Sequence, residues 1–186
     1  MNRASHAEGY ETIASDFSSH SEGMSTSAIA LYSHAEGYET IASGQSSHSE
    51  GLRSKSLGNY SHAEGQYTIS SGDTSHAEGF AAQSLGTYSH AEGYSTTSSG
   101  ESSHAEGQGS QSNGLASHAE GSSIANGSIA HAEGTVTSAI GNSSHSEGIY
   151  TIASGDNQHV QGKYNIADTT SAFILGNGTN NTIRSN

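Results

Sequence analysis

The sequence has no cysteine, no proline and no tryptophan, three phenylalanines, and five Lys and Arg against 18 Asp and Glu. Without cysteine there is no disulfide framework, no thiolate metal site and no cysteine nucleophile. The five cations, Arg3, Arg53, Lys55, Lys163 and Arg184, are scattered. No basic stripe exists to neutralise phosphates, so neither nucleic acid nor an anionic membrane is an expected partner. No apolar run approaches the roughly 18 residues of a membrane span, and Met1-Asn2-Arg3-Ala4 opens no signal-peptide apolar region. Hydrophobic residues make up 30% of the 186, too few for a thick core, and low hydrophobicity with a net charge of −13 is the profile of a disordered chain. Strict periodicity argues against disorder.

All 12 histidines fall on one ruler: His6, His20, His34, His48, His62, His76, His90, His104, His118, His131, His145 and His159. Every interval is 14 except the 13 from His118 to His131. Two residues after each histidine stands a glutamate: Glu8, Glu22, Glu36, Glu50, Glu64, Glu78, Glu92, Glu106, Glu120, Glu133 and Glu147, with Gln161 in the last copy. Glycine always follows, giving the consensus Ser-His-Ala/Ser-Glu-Gly. A short fixed period is the signature of a solenoid whose units bury surface only by stacking on their neighbours. The expected fold is all-β, about twelve coils of 14 residues over 1–162. Residues 163–186, where the motif decays, are expected to cap the stack through Phe173, Ile174 and Leu175. The repeat begins at Ser5, which suggests a piece of a longer protein.

Counting His as the first position, the ninth is always small, as in Ala14, Ala42, Ser56, Ser84 and Ala153, and so faces a narrow interior. The eleventh is mostly glycine (Gly44, Gly58, Gly72 and onward), which suggests a turn with positive φ. Alternation along the first strand sends Ser33, Ala35 and Gly37 inward and His34 and Glu36 outward. At the eighth and tenth positions a large aliphatic occupies one site or the other (Ile13, Ile29, Ile41, Leu57, Ile69, Leu85). Lys55, Gln83 and Gln111 share the eighth column, so that face meets solvent.

The Ser-His-Ala-Glu-Gly coils, followed by stretches such as Thr40-Ile41-Ala42-Ser43-Gly44, resemble the head repeats of YadA-like trimeric autotransporter adhesins, found in bacterial surface and phage tail proteins. The likeness covers about residues 5–162. It implies a left-handed parallel β-roll, a parallel homotrimer whose first strand lines the subunit interface, and a non-enzymatic structural or adhesive role. The expected setting is extracellular, on a cell surface or virion tail. The expected ligand is host extracellular matrix or a cell-surface glycan, with no cofactor and no membrane contact by this segment. The tail from Gln158 through Thr179 resembles segments that close such arrays.

In that arrangement the His and Glu columns read as an interface ladder, each His donating to a Glu and fixing register between interchangeable coils. A His beside an anionic Glu is then expected to titrate above its ordinary value and to place the stability maximum in mildly acidic solution. Two alternatives follow from single columns. Imidazoles at every level suit metal ions, and Thr12, Thr26, Thr40, Thr68, Thr96 and Thr151 at the seventh position suit an ice-binding face. Catalysis needs one unique constellation, whereas the motif is copied along the chain, and Ser5 and His6 lie on opposite faces of a strand.

Overall fold

The computed structural model describes residues 4–186, and among them there is no helix. Most coils contribute a first strand that begins at the histidine and a two-residue second strand at the eighth and ninth positions; in His118–Ala125 and His131–Ala139 the two are one strand. His34–Tyr38 followed by Ile41–Ala42 is typical. Each strand pairs in parallel with its counterpart one coil away, like residue on like residue: His20 with His34, Glu22 with Glu36, Gly23 with Gly37, and Ile41 with Lys55. This is a parallel β-solenoid. It divides into two compact units, one ending at Ser95 and holding the coils of His6 to His90, the other from Thr96 with the coils of His104 to His159.

Three left-handed residues bend each 14-residue coil. In the third coil and its entry they are Tyr32 (φ 59°), Gly37 (φ 105°) and Glu39 (φ 53°). The thirteenth and sixth positions therefore hold left-handed residues of many types, and the eleventh-position glycines do not. Gly44, Gly58 and Gly72 have no positive φ; they are glycine because a Cβ on Gly44 would lie 1.8 Å from the carbonyl oxygen of Gly58 in the next coil. The expected positive-φ turn is thus displaced by two residues, and glycine is retained for close stacking. Gly37 meets both demands, since a Cβ there would also lie 2.3 Å from the Gly51 oxygen. Its left-handed backbone takes it out of the strand alternation, so Gly37 is exposed instead of inward, while Ser33 and Ala35 are buried as alternation requires.

The interior is built from alanine and hydroxyls. Ala35, Ala42, Ala63 and Ala77 are fully buried, and the only larger buried apolar residues described are Val160 and Ile174. The serine that opens most of the motifs bonds its own turn, as Ser47 Oγ donates to the Gly44 carbonyl at 2.7 Å and Ser61 Oγ to Gly58 at 2.6 Å; Ala130 and Gln158 stand in its place before His131 and His159. The seventh-position threonines are inside as well. Thr26, Thr40, Thr68, Thr96 and Thr151 are 0% exposed, and Thr40 Oγ1 donates to the Glu36 carbonyl at 3.1 Å. This removes the ice-binding face, because a hydroxyl turned into the roll orders no external water.

The 13-residue coil loses its sixth position. Ser122 pairs with Thr135 and Ile124 with Ser138, so the register shifts between Ser122 and Ile124. The left-handed corner is missing there, and one strand, His118–Ala125, spans both strand positions, as His131–Ala139 does with its corner residue Val136 (φ 55°) in place. Ser123 takes the threonine's place and donates to the Glu120 carbonyl at 2.6 Å.

Pairing continues past residue 162. Phe173–Asn177 aligns with His159–Lys163, placing Phe173 in the histidine column and Leu175 in the glutamate column. Ile174 is buried, whereas Phe173 and Leu175 are each 56% exposed, so only one of the three expected capping residues covers the interior. Amides complete the closure. Asn165, fully buried, accepts from the Ile152 N–H at 2.8 Å and donates to the Ile152 carbonyl at 3.0 Å. The buried Gln158 amide accepts from the Ser154 N–H and donates to the Asp168 and Ser171 carbonyls.

Candidate functional site

The outward face of the first strands carries the two most regular columns in the molecule. From His20 to Glu147 the histidines and glutamates are half-buried; His6 and Glu8, on the open first coil, are exposed. Because the backbone repeats in register at strand spacing, imidazoles stack as neighbours. His34 and His48 lie 4.7 Å apart with rings 1° from parallel, and His118 and His131 lie 4.8 Å apart at 1°. In the first unit the His6–His20 rings open to 27°, and in the second the His145–His159 rings open to 43°.

The glutamates stand beside the rings, mostly too far to accept a hydrogen bond from them. Nε2 to carboxylate separations are 3.7 Å for His20–Glu22, 3.6 Å for His34–Glu36, 3.8 Å for His48–Glu50 and 4.0 Å for His62–Glu64. His76 lies 3.8 Å from Glu64, His90 3.7 Å from Glu78, His145 3.4 Å from Glu133 and His159 3.6 Å from Glu147, each glutamate belonging to the preceding coil. His118 and Glu106 make a true hydrogen bond at 3.1 Å. The Nε2 atoms of His20, His34, His48, His62, His76, His131, His145 and His159 are buried and lack a hydrogen-bond partner. Within one chain the histidines and glutamates of the expected interface ladder form two aligned columns, with stacked rings and, of these separations, only His118–Glu106 a hydrogen bond.

Burial, followed by the charges of neighbouring histidines, holds His34, His76 and His131 below their ordinary 6.5, and burial followed by His62 does the same for His48. The expected upward shift is reversed, because desolvation and like-charged stacked rings outweigh carboxylates at this distance. The glutamates divide in alternation. Hydrogen bonding to Glu64, reinforced by burial, pushes Glu50 up to about 7, and hydrogen bonding to Glu92 and Glu64 pushes Glu78 up to about 7. Glu64, bonded by Glu78 and Glu50, is held down. Glu120 is raised and Glu133 lowered in the same way, each chiefly through its bond to the other. At these five positions the neighbouring carboxyl, and not the imidazole, is the first cause of the shift.

The serine of the motif does not join the histidine. Ser33 is 1% exposed and its Oγ donates to the Ala30 carbonyl, while His34 faces outward. A non-repeating site that motif reading passed over lies in the sixth column. Arg53 Nε sits 2.6 Å from Glu39 one coil before it, and its guanidinium carbon lies 5.8 Å over the Tyr67 ring one coil after it. The 14-residue spacing of Glu39, Arg53 and Tyr67 was the available signal. An exposed aromatic row also forms at the fifth position, where Phe80 and Tyr94 stack at 5.0 Å.

No protein-family model matches the chain, and no curated protein matches it.

Proposed function

We propose that this chain is a non-enzymatic head segment of an extracellular trimeric surface protein, an adhesin or a phage tail appendage, built as a left-handed roll. Three parallel copies pack through their His/Glu faces, and the assembly presents its outer columns to extracellular matrix or glycan. The observation that carries the reading is the thinness of the roll. A buried CH₂ group contributes about 0.8 kcal/mol, and an interior of alanine, serine and threonine with only Val160 and Ile174 beyond them offers little of that per coil. Folds this lean are stabilised by association. The half-buried faces from His20 to Glu147 are the regular surface suited to it, because identical rungs from three chains meet level with one another. The resemblance of the Ser-His-Ala-Glu-Gly coils to YadA-like heads supports the same arrangement.

Light scattering under native conditions tests it. Three times the 19.0 kDa of one chain is expected, and the mass of a single chain overturns the reading.

A further inference from the structure

We propose that the histidine and glutamate columns bind divalent transition-metal ions, the leading site being His34, Glu36 and His48, with Glu50, His62 and Glu64 forming a second on the same face. One ligand atom from each residue of a trio lies within 4.8 Å of the other two. The separations are specific. An N–H to O hydrogen bond spans about 2.7–3.2 Å, and the 3.6 Å of His34–Glu36 and 4.0 Å of His62–Glu64 exceed it. Two ligands on one tetrahedral zinc, each at about 2.1 Å, stand about 3.4 Å apart, so the His34–Glu36 gap already approaches that of a shared ion. The Nε2 atoms of His34, His48 and His62 have no hydrogen-bond partner to give up.

Imidazole with carboxylate selects zinc, nickel or copper over calcium and magnesium, which prefer oxygen shells. The second imidazole of the leading site comes closer by tilting out of its 4.7 Å stack. Such tilts occur between His6 and His20, at 27°, and between His145 and His159, at 43°. The remaining coordination falls to water on the half-exposed face of one chain, or to the facing column of another copy where the chains pack. A cation there also neutralises part of a chain of net charge −13. The three ligands of each trio come from one chain, but they lie on the face through which the copies are proposed to pack, so the ion would sit in that interface.

Equilibrium dialysis of the untagged protein against zinc at neutral pH, with metal content measured, is the test. More than one zinc per chain is expected, with a raised melting temperature, and the His34→Gln/His48→Gln variant should retain one equivalent less. No zinc above the dialysate level, an undiminished content in the folded variant, or equal content in urea-unfolded protein would each overturn the proposal. If the variant does not fold, cobalt titration of the unaltered protein decides: an intense visible band of tetrahedral cobalt is expected, and an unchanged spectrum overturns it. Light scattering on the same samples keeps the readings separate, since a trimer that binds no zinc defeats the metal site alone.

Discussion

At the scale of the residue, each letter of the repeated motif answers to a contact. Serine bonds its turn, histidine stacks, alanine fills a narrow interior, glutamate faces out, and glycine admits the next coil's carbonyl. Gly37→Ala is the sharpest check, because it adds a Cβ 2.3 Å from the Gly51 oxygen in a backbone of φ 105°. The backbone strain alone is worth about 1–3 kcal/mol, so loss of folding or a much lower midpoint in urea is expected, and a neutral result would mean the stacking distance is looser than described. The glutamates carry a pH signature in the metal-free protein. The carboxyls of Glu50 and Glu78, raised from 4.5 to about 7, contribute stability that is present below 4.5 and lost as pH rises through 7. The lowered histidines act in the opposite sense: their contribution is present above 6.5 and is lost as pH falls through their depressed folded-state values. A Glu50→Gln/Glu78→Gln variant keeps a neutral hydrogen-bonding group without the ionisation. Its melting temperature should exceed that of the parent at pH about 8 and match it at pH about 4. Equal differences at both would show that the carboxyls titrate normally.

At the scale of the element, strands of two to five residues have no independent stability, and pairing at constant register holds them. The ends are therefore critical, because an unpaired last rung exposes strand N–H and C=O groups. At the C-terminal end Asn165 serves the Ile152 N–H and carbonyl that a further second strand would otherwise have paired. Arg184 adds donors to the Tyr150 and Asn165 carbonyls, both at 3.1 Å. Asn165→Ala leaves two part-buried backbone groups of Ile152 without this partner, at a cost of up to about 1–3 kcal/mol each. Thermal melting should show a clear loss of stability, with faster amide exchange at Ile152; unchanged exchange there would place the closure elsewhere. The 13-residue coil shows that a strand can absorb the loss of its left-handed corner without losing the columns on either side, since His118 still pairs with His131.

At the scale of the whole molecule, stability and assembly are linked. If three chains fold as one body, unfolding releases three, and the melting temperature must rise with protein concentration. A tenfold dilution should lower it measurably, and a concentration-independent midpoint in equilibrium melting would indicate a chain stable alone. The same assembly would further bury His and Glu faces that are half-buried in one chain, strengthening the desolvation that already lowers the histidines.

Much of this was legible beforehand. A strict period of 14 states which residues lie above one another, and a ninth position that never holds a large side chain identifies the inside. Those two facts determine a parallel solenoid, its His and Glu columns and its outward aliphatics, because in-register stacking leaves no other arrangement of identical coils. The tertiary structure alone decided what depends on distance between coils and on local backbone angles. It separated glycines kept for left-handed φ from those kept for a close carbonyl, and it turned the threonines inward. It also set histidine and glutamate mostly beyond hydrogen-bonding reach, so that burial leads the downward shifts of His34, His48, His76 and His131, and neighbouring carboxyls lead the shifts of Glu50 and Glu78. A repeat written along the chain records which side chains are neighbours; the few tenths of an ångström that separate a hydrogen bond from a contact arise only when the coils are stacked.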